Sequence, residues 1–432
     1  MKKLNIYIII VLLCGFFSSA QQTPAPKQSK DFAIVGATAH VGNGTVIENS
    51  TIVVKNGKIA AIGNSNVDTS GTEIIDAKGK HVYPGFIVTN STLGLVEIGA
   101  VRATDDDSEV GLYNPHIRSL IAYNAESKIV ESMRPNGVLL GQITPRGGRI
   151  SGSSSIVQFD AWNWEDAAVK VDEGIHINWP GSFTRGRWWL GEDPALKPNP
   201  NYAKQVKELA DYMMGSKTYT KGDKAKRHLP FEALNGLFDG SKQLYVHVDD
   251  EKSITDAVNF AKSQGISKVV IVGGYEAHKV ADLLKQNNVP VLLRRVHTRP
   301  NGEDHDYDLP FKLAKKLVDK GVLVALETSG QMERMNSRNL PFYAGTTVAY
   351  GLTKEQALQL ISSNPAKILG IDKDYGSLEA GKSATLFISE GDALDMRTNQ
   401  LIQAYIDGRK LSLETHQTKL WKRYSEKYSS QN

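Results

Sequence analysis

The chain has 432 residues, 41% of them apolar and 23% charged, with a formal net charge of +4. This is ordinary globular composition, with enough chain for one large core and a smaller one. The near balance of charge argues against nucleic acid or an anionic membrane as a main partner.

The first twenty residues read as a secretory signal. Lys2 and Lys3 give a positive start, Leu4 to Phe17 is an apolar run broken only by Asn5, and Ser18-Ser19-Ala20 offers small residues for cleavage. The run falls short of the roughly 20 residues that a membrane span needs. The single cysteine, Cys14, lies inside this run and follows Leu13, not the small residue a lipoprotein signal wants. Cleavage leaves a chain without cysteine or disulfide, exported to the periplasm or beyond and free of the membrane. Residues 21–31 are rich in Pro, Gln and Lys and read as a flexible leader.

Residues 32–83 read as β-structure. Short runs such as Ala33-Ile34-Val35 and Thr51-Ile52-Val53-Val54 are punctuated by Asn43-Gly44 and Asn56-Gly57, and Asn-Gly is a strong hairpin signal. From residue 84 to 371 strands and helices alternate. Candidate strands are Phe86–Val88, Gly137–Ile143, Leu244–Val248, Val269–Val272, Val289–Leu293 and Val322–Leu326. Helices are predicted over Tyr202–Met214, Ser253–Gln264, Ala277–Asn287, Leu309–Lys320 and Thr353–Ile361. Such alternation implies βαβ units and a parallel sheet, either a (β/α)8 barrel or a doubly wound sheet. No glycine-rich phosphate loop follows any of these strands, which weakens the second.

Between them, Thr144 to Ser155 reads as a loop whose amides, with Arg146 and Arg149, could hold an anion, or which simply borders the barrel mouth. Five of the six tryptophans fall between residues 160 and 190, as a wall beside a pocket, a contact surface, or ordinary packing. Residues 372–412 return to β-structure, and 413–432 form an amphipathic helical tail.

Three stretches carry a resemblance. His81 to Leu95 (HVYPGFIVTNSTLGL) is similar to the first barrel strand of the amidohydrolase superfamily, near its imidazolonepropionase-like branch. Tyr375-Gly376-Ser377-Leu378-Glu379-Ala380-Gly381-Lys382, followed by Ala404-Tyr405-Ile406-Asp407-Gly408, resembles its C-terminal signature. Asn364 to Gly370 resembles its last barrel helix. The resemblance implies a TIM-type (β/α)8 barrel (84–371) with a small composite β-sandwich domain built from both chain ends (32–83 plus 372–412).

It also implies metal-ligand positions at the ends of strands 1, 4, 5, 6 and 8, where an ion would activate water and polarise a carbonyl. These positions hold Asn90 and Thr92 (strand 1), His176 (strand 4), His247 (strand 5), Gly273 (strand 6) and Ser329 (strand 8), with Glu327 two residues before the last. Only His247 matches the family's residue well, which makes it the one catalytic candidate, and no metal is expected. Arg294, Arg295 and His297 follow strand 7 and are candidates for holding a carboxylate through paired hydrogen bonds. The acidic runs Asp105–Asp107 and Glu303–Asp308 lack the spacing of a calcium loop, and Ser151-Gly152-Ser153 is not a nucleophile elbow.

Two functions remain. The first is a pseudo-hydrolase whose degenerate site binds a small-molecule ligand or an active amidohydrolase relative. The second is an active hydrolase on carbon-nitrogen bonds, non-peptide or dipeptide-like amides, using a single zinc or manganese ion at a reduced or unusual site.

Overall fold

The computed structural model describes residues 23–222 and 226–429; the signal assigned to residues 1–20 lies outside them. The chain opens with five strands, β1 (Phe32–His40), β2 (Val46–Lys55), β3 (Lys58–Gly63), β4 (Glu73–Asp76) and β5 (His81–Pro84). They share one sheet with three strands from the other end of the chain, β16 (Leu386–Ser389), β17 (Leu401–Ile406) and β18 (Arg409–Lys410). The order is β18-β17-β16-β5-β1-β2-β3, with β4 also on β1. Its core joins Ile34, Ile52 and Val54 to Leu386 and Tyr405, so neither chain end could bury this face alone.

The second sheet is the barrel. Its strands are β6 (Phe86–Ser91), β7 (Val138–Ile143), β8 (Ile150–Gln158), β9 (Ala168–Asn178), β12 (Gln243–Val248), β13 (Val269–Gly273), β14 (Val291–Leu293) and β15 (Val324–Leu326). A parallel bridge from Thr89 to Glu327 joins the first strand to the end of the last, and Thr89 Oγ1 donates to the Leu326 carbonyl at 3.1 Å. The interior is packed by Ile87, Leu140, Ile156, Val270, Leu292 and Ala325, and Ala366, Ile368 and Leu369 of the helix Ser363–Leu369 plug one end. This is the filled interior of a (β/α)8 barrel, with chemistry confined to the strand ends.

Two sequence expectations need correction. Thr144–Ser155 is not one long loop: only residues 144–149 are, and β8 begins at Ile150. This strand runs antiparallel to both β7 and β9, so one barrel strand is reversed. Its Gly/Ser-rich start is fully buried because small side chains admit the neighbouring segment: a Cβ on Gly152 would lie 2.5 Å from the Ile117 carbonyl oxygen. The tryptophans do not form a wall either. Trp179 is buried against Phe260, whereas Trp162, Trp188 and Trp189 are exposed.

Candidate functional site at the barrel mouth

The ends of β6, β7, β9, β12, β13 and β15 meet at the barrel mouth, and the reversed β8 brings its beginning there. At the end of β6 the register of the ladder to β7 shifts, and Asn90 takes a left-handed conformation (φ 51°), which Asn tolerates better than most residues. Its amide donates to Gln142 Oε1 at 3.0 Å and its side-chain Nδ2 to Glu327 Oε2 at 3.2 Å. The guanidinium of Arg146, from the β7–β8 turn, closes on the same residue: Nη1 donates to Asn90 Oδ1 at 2.7 Å and Nη2 to its carbonyl at 2.8 Å. Ser329 donates to Glu327 twice, from its amide at 2.7 Å and its hydroxyl at 2.5 Å.

Across the mouth, His176 Nδ1 meets His247 Nε2 at 2.9 Å, and His176 Nε2 meets Ser154 Oγ at 2.8 Å. Ser154 Oγ donates to Glu173 Oε1 at 2.6 Å, Gln142 Nε2 to the same oxygen at 2.7 Å, and the Tyr245 hydroxyl to Glu173 Oε2 at 2.9 Å. Gln142 thus joins the two halves, and the polar groups form one connected network, as buried polar groups must. The Tyr245 ring lies flat on His176, centroids 4.5 Å apart. Gly174 is required beside it, because any side chain there would collide with that ring.

Burial sets the protonation states. It pushes the Glu327 carboxyl up to about 7, against the opposing pull of its Ser329 hydrogen bonds and of Arg146. Burial also raises Glu173, although its three donors oppose this. It depresses His247 to about 3, with Arg146 adding repulsion, and holds His176 well below the usual imidazole range, with His247 and Arg146 adding to the effect. Both histidines are therefore neutral at physiological pH. The expected result in a proton NMR titration is no charging of either ring between pH 8 and pH 5. A midpoint near 6.5 for either ring would show an open, solvated mouth.

Of the sequence-derived positions, Asn90, His176, His247 and Ser329 enter this network. Thr92 does not: its hydroxyl donates to Glu333 Oε2 at 2.6 Å, beside Ser91 on Glu333 Oε1. Gly273 is left-handed (φ 94°), and a Cβ there would sit 2.8 Å from Asp249 Oδ1. Arg294, Arg295 and His297 do not converge on one point. Arg294 pairs with Asp249 at 3.3 Å, Arg295 donates to the Gln331 carbonyl at 3.0 Å, and His297 meets Thr346 Oγ1 at 2.7 Å. At strand 8 the group in the network is Glu327, with Ser329 bound to it. Sequence reasoning did not single out Gln142, Ser154, Glu173, Tyr245 or Glu333. Tyr245 alone carried a signal, being two residues from His247 on one strand face.

The donors do not fit a metal centre of the kind found in the family that the sequence resembles. No group of three His, Cys, Asp or Glu side chains able to hold an ion occurs among the described residues. Asn90 Oδ1 and both His176 nitrogens are already engaged, and a guanidinium sits beside them.

The fold is a (β/α)8 barrel whose strand ends gather a buried polar network. The model of the amidohydrolase family matches residues 242–418. A 5'-deoxyadenosine deaminase from Methanobrevibacter smithii is 23% identical over 80% of this chain and 81% of its own length. An imidazolonepropionase from Flavobacterium johnsoniae is 21% identical over 80% and 86%. Among solved structures, an amidohydrolase from Thermotoga maritima superposes with a TM-score of 0.77 at 25% identity, covering 88% of this chain and 99% of that one. The chain is thus similar to the amidohydrolase superfamily, in its C-terminal part by sequence and over most of its length by fold.

Proposed function

We propose that this protein is an exported pseudo-hydrolase, an amidohydrolase barrel whose mouth binds a small molecule or an active relative in place of a catalytic metal centre. The observation that carries this reading is Arg146. Its guanidinium holds the side chain and carbonyl of Asn90, so a fixed positive charge stands where the superfamily's strand 1 ligands would face an ion. A cation beside a divalent site opposes binding, and removal of even one supporting partner typically costs 10–100-fold in metal affinity. The mouth instead offers a guanidinium, neutral imidazoles and protonatable carboxyls, a set suited to a ligand with an acid or amide group.

One observation favours the second reading, a working carbon-nitrogen hydrolase. A carboxyl that titrates near 7, as Glu327 does, can give and take protons at neutral pH, and the relatives named above are a deaminase and an imidazolonepropionase. Metal content separates the two. Residues 21–432, purified without chelator and dialysed against zinc, manganese and calcium in turn, are expected to retain less than about a tenth of an equivalent. They are also expected to turn over no amide, dipeptide or cyclic amide substrate. Retention of one or two equivalents, lost on His247→Ala, would sink the pseudo-hydrolase reading, as would turnover of any substrate in the panel.

A further inference from the structure

The segment between β9 and the helix Tyr202–Lys221 leaves the barrel mouth as a hairpin, β10 (Phe183–Arg185) paired antiparallel with β11 (Leu196–Pro198). Its tip carries Trp188, Trp189 and Leu190. The tryptophans are 71% and 65% exposed and touch each other edge to face, and Phe183 and Leu196 are exposed as well. So much apolar surface on sixteen residues is not how a monomer presents itself to water. The base is held: the Asn199 amide donates to the Ser182 carbonyl at 2.9 Å, and Ser182 Oγ to Asp250 at 3.0 Å. The arm is therefore anchored at its root and uncovered at its tip.

A second uncovered apolar patch stands on the same end of the barrel, three strands away, in the loop after β6. Ile98, Val101, Val110 and Leu112 are exposed there, Val110 at 94%. The two patches differ in charge. Within the loop Glu97, Asp105, Asp106, Asp107 and Glu109 outnumber a single Arg102; Arg146 and Arg334 approach Asp107 from outside it, and Asp106 and Glu109 are the exposed acids. In the arm, Glu192 and Asp193 are satisfied internally, by Arg187 at 2.7 Å and Lys197 at 2.9 Å. That leaves Arg185 as the arm's surplus charge, exposed just before the tryptophans.

We infer that the Trp188–Trp189 arm docks on the acidic-apolar 97–112 loop of a second copy of this chain. Each copy carries one arm and one receiving loop on the same face, so a two-fold axis satisfies both contacts at once, as an isologous dimer requires. Each tryptophan buries on the order of 150–250 Å² when covered. Two arm-on-loop contacts bring the roughly 800 Å² per partner of a standard interface within reach. The acidic surplus of the loop selects the basic arm and discriminates against its own kind, which fixes the register. The two barrel mouths then face one another, each roofed by its partner's arm.

The test is sedimentation equilibrium of residues 21–432 at micromolar concentration. The wild-type chain is expected to be a dimer, and Trp188→Ser/Trp189→Ser a folded monomer, because the tip contributes nothing to the core. Arg185→Glu is expected to weaken association about tenfold or more, and Asp106→Arg added to the same chain to restore it, since the partner then presents the opposite charge. A monomeric wild type overturns the inference, including one that instead sediments with phosphatidylglycerol vesicles. So does a dimer indifferent to the tryptophan substitutions, or one that Arg185→Glu leaves unchanged.

Discussion

Asp160→Ala is expected to cost about 3–5 kcal/mol of folding stability, because it strips the counter-charge from the buried Arg134 and the partly buried Arg409. Asp160 follows β8 and its side chain is 3% exposed. Oδ1 accepts from Arg134 Nη1 at 2.8 Å, and Oδ2 from Arg409 Nη1 at 2.9 Å and from the Ala25 amide at 2.8 Å. Burial depresses the Arg134 guanidinium, and only the Asp160 charge and weaker neighbours oppose that. Three parts of the chain meet at this carboxylate: the segment before β1, the barrel wall, and β18 of the small sheet. The loss should appear in urea unfolding as a lower midpoint for the whole molecule. Arg409→Met should cost less, since Asp160 keeps Arg134 and the methionine covers the site. A loss below about 1 kcal/mol for Asp160→Ala would place the group among solvated surface pairs, whose worth is of that order.

The joining of both chain ends into one sheet was legible from the Gly-Ser-Leu-Glu turn at residues 376–379 and the strands that follow it. The barrel was legible because β12, β13 and β15 are short apolar runs, each separated from the next by a helix or a turn. What hid β8 was its chemistry. Ile150-Ser151-Gly152-Ser153-Ser154-Ser155 has the composition of a loop and none of the bulk of a strand. Only the close pass of Ile117 and the demands of Glu173 and His176 explain why small polar residues line a barrel wall.

The mouth was legible by position and not by partner. Asn90 could be placed by the frame of Pro84, Gly85 and Gly94 and His247 by its strand Leu244–Val248, but Arg146 lay in the same misread stretch as β8, and its hold on Asn90 depends on a turn that sequence periodicity does not report. Glu173 was hidden for a related reason. It lies in a polar run, Lys170-Val171-Asp172-Glu173, and its burial follows from Tyr245 and Gln142, which approach from other strands. Polar networks are assembled across elements, and local propensity carries no trace of them.

The balance at that network gives the second large effect, for Arg146→Met. The substitution keeps the apolar stem and removes the charge. It leaves the Asn90 side-chain and backbone oxygens without their donor, at about 1–3 kcal/mol for each buried group so orphaned. It also frees Glu327 and His247 from the cation that lowers the proton affinity of both. Glu327 already titrates near 7, against 4.5 as its ordinary value. The folded state therefore holds a proton that the unfolded state releases, and stability falls as pH rises from about 4.5 through about 7, by roughly 3 kcal/mol in total. His247 works the other way: its depressed folded value makes stability fall as pH drops below about 6.5. The Glu327 contribution is isolated by subtracting the profile of Glu327→Gln, which lacks the carboxyl. In Arg146→Met the carboxyl rises further, so the decline should continue above pH 7, where the wild type levels off. Urea unfolding of the wild type, each single variant and the double variant between pH 5 and pH 9 should give a coupling of about 1–3 kcal/mol between residues 146 and 327. The double variant should be hurt less than the sum, because the charge that needs Arg146 has gone with it. Identical pH slopes for the wild type and Glu327→Gln would mean that the Glu327 carboxyl is solvated. Arg146 would then be an ordinary surface cation, and the reading of the barrel mouth as a binding site built around it would fail.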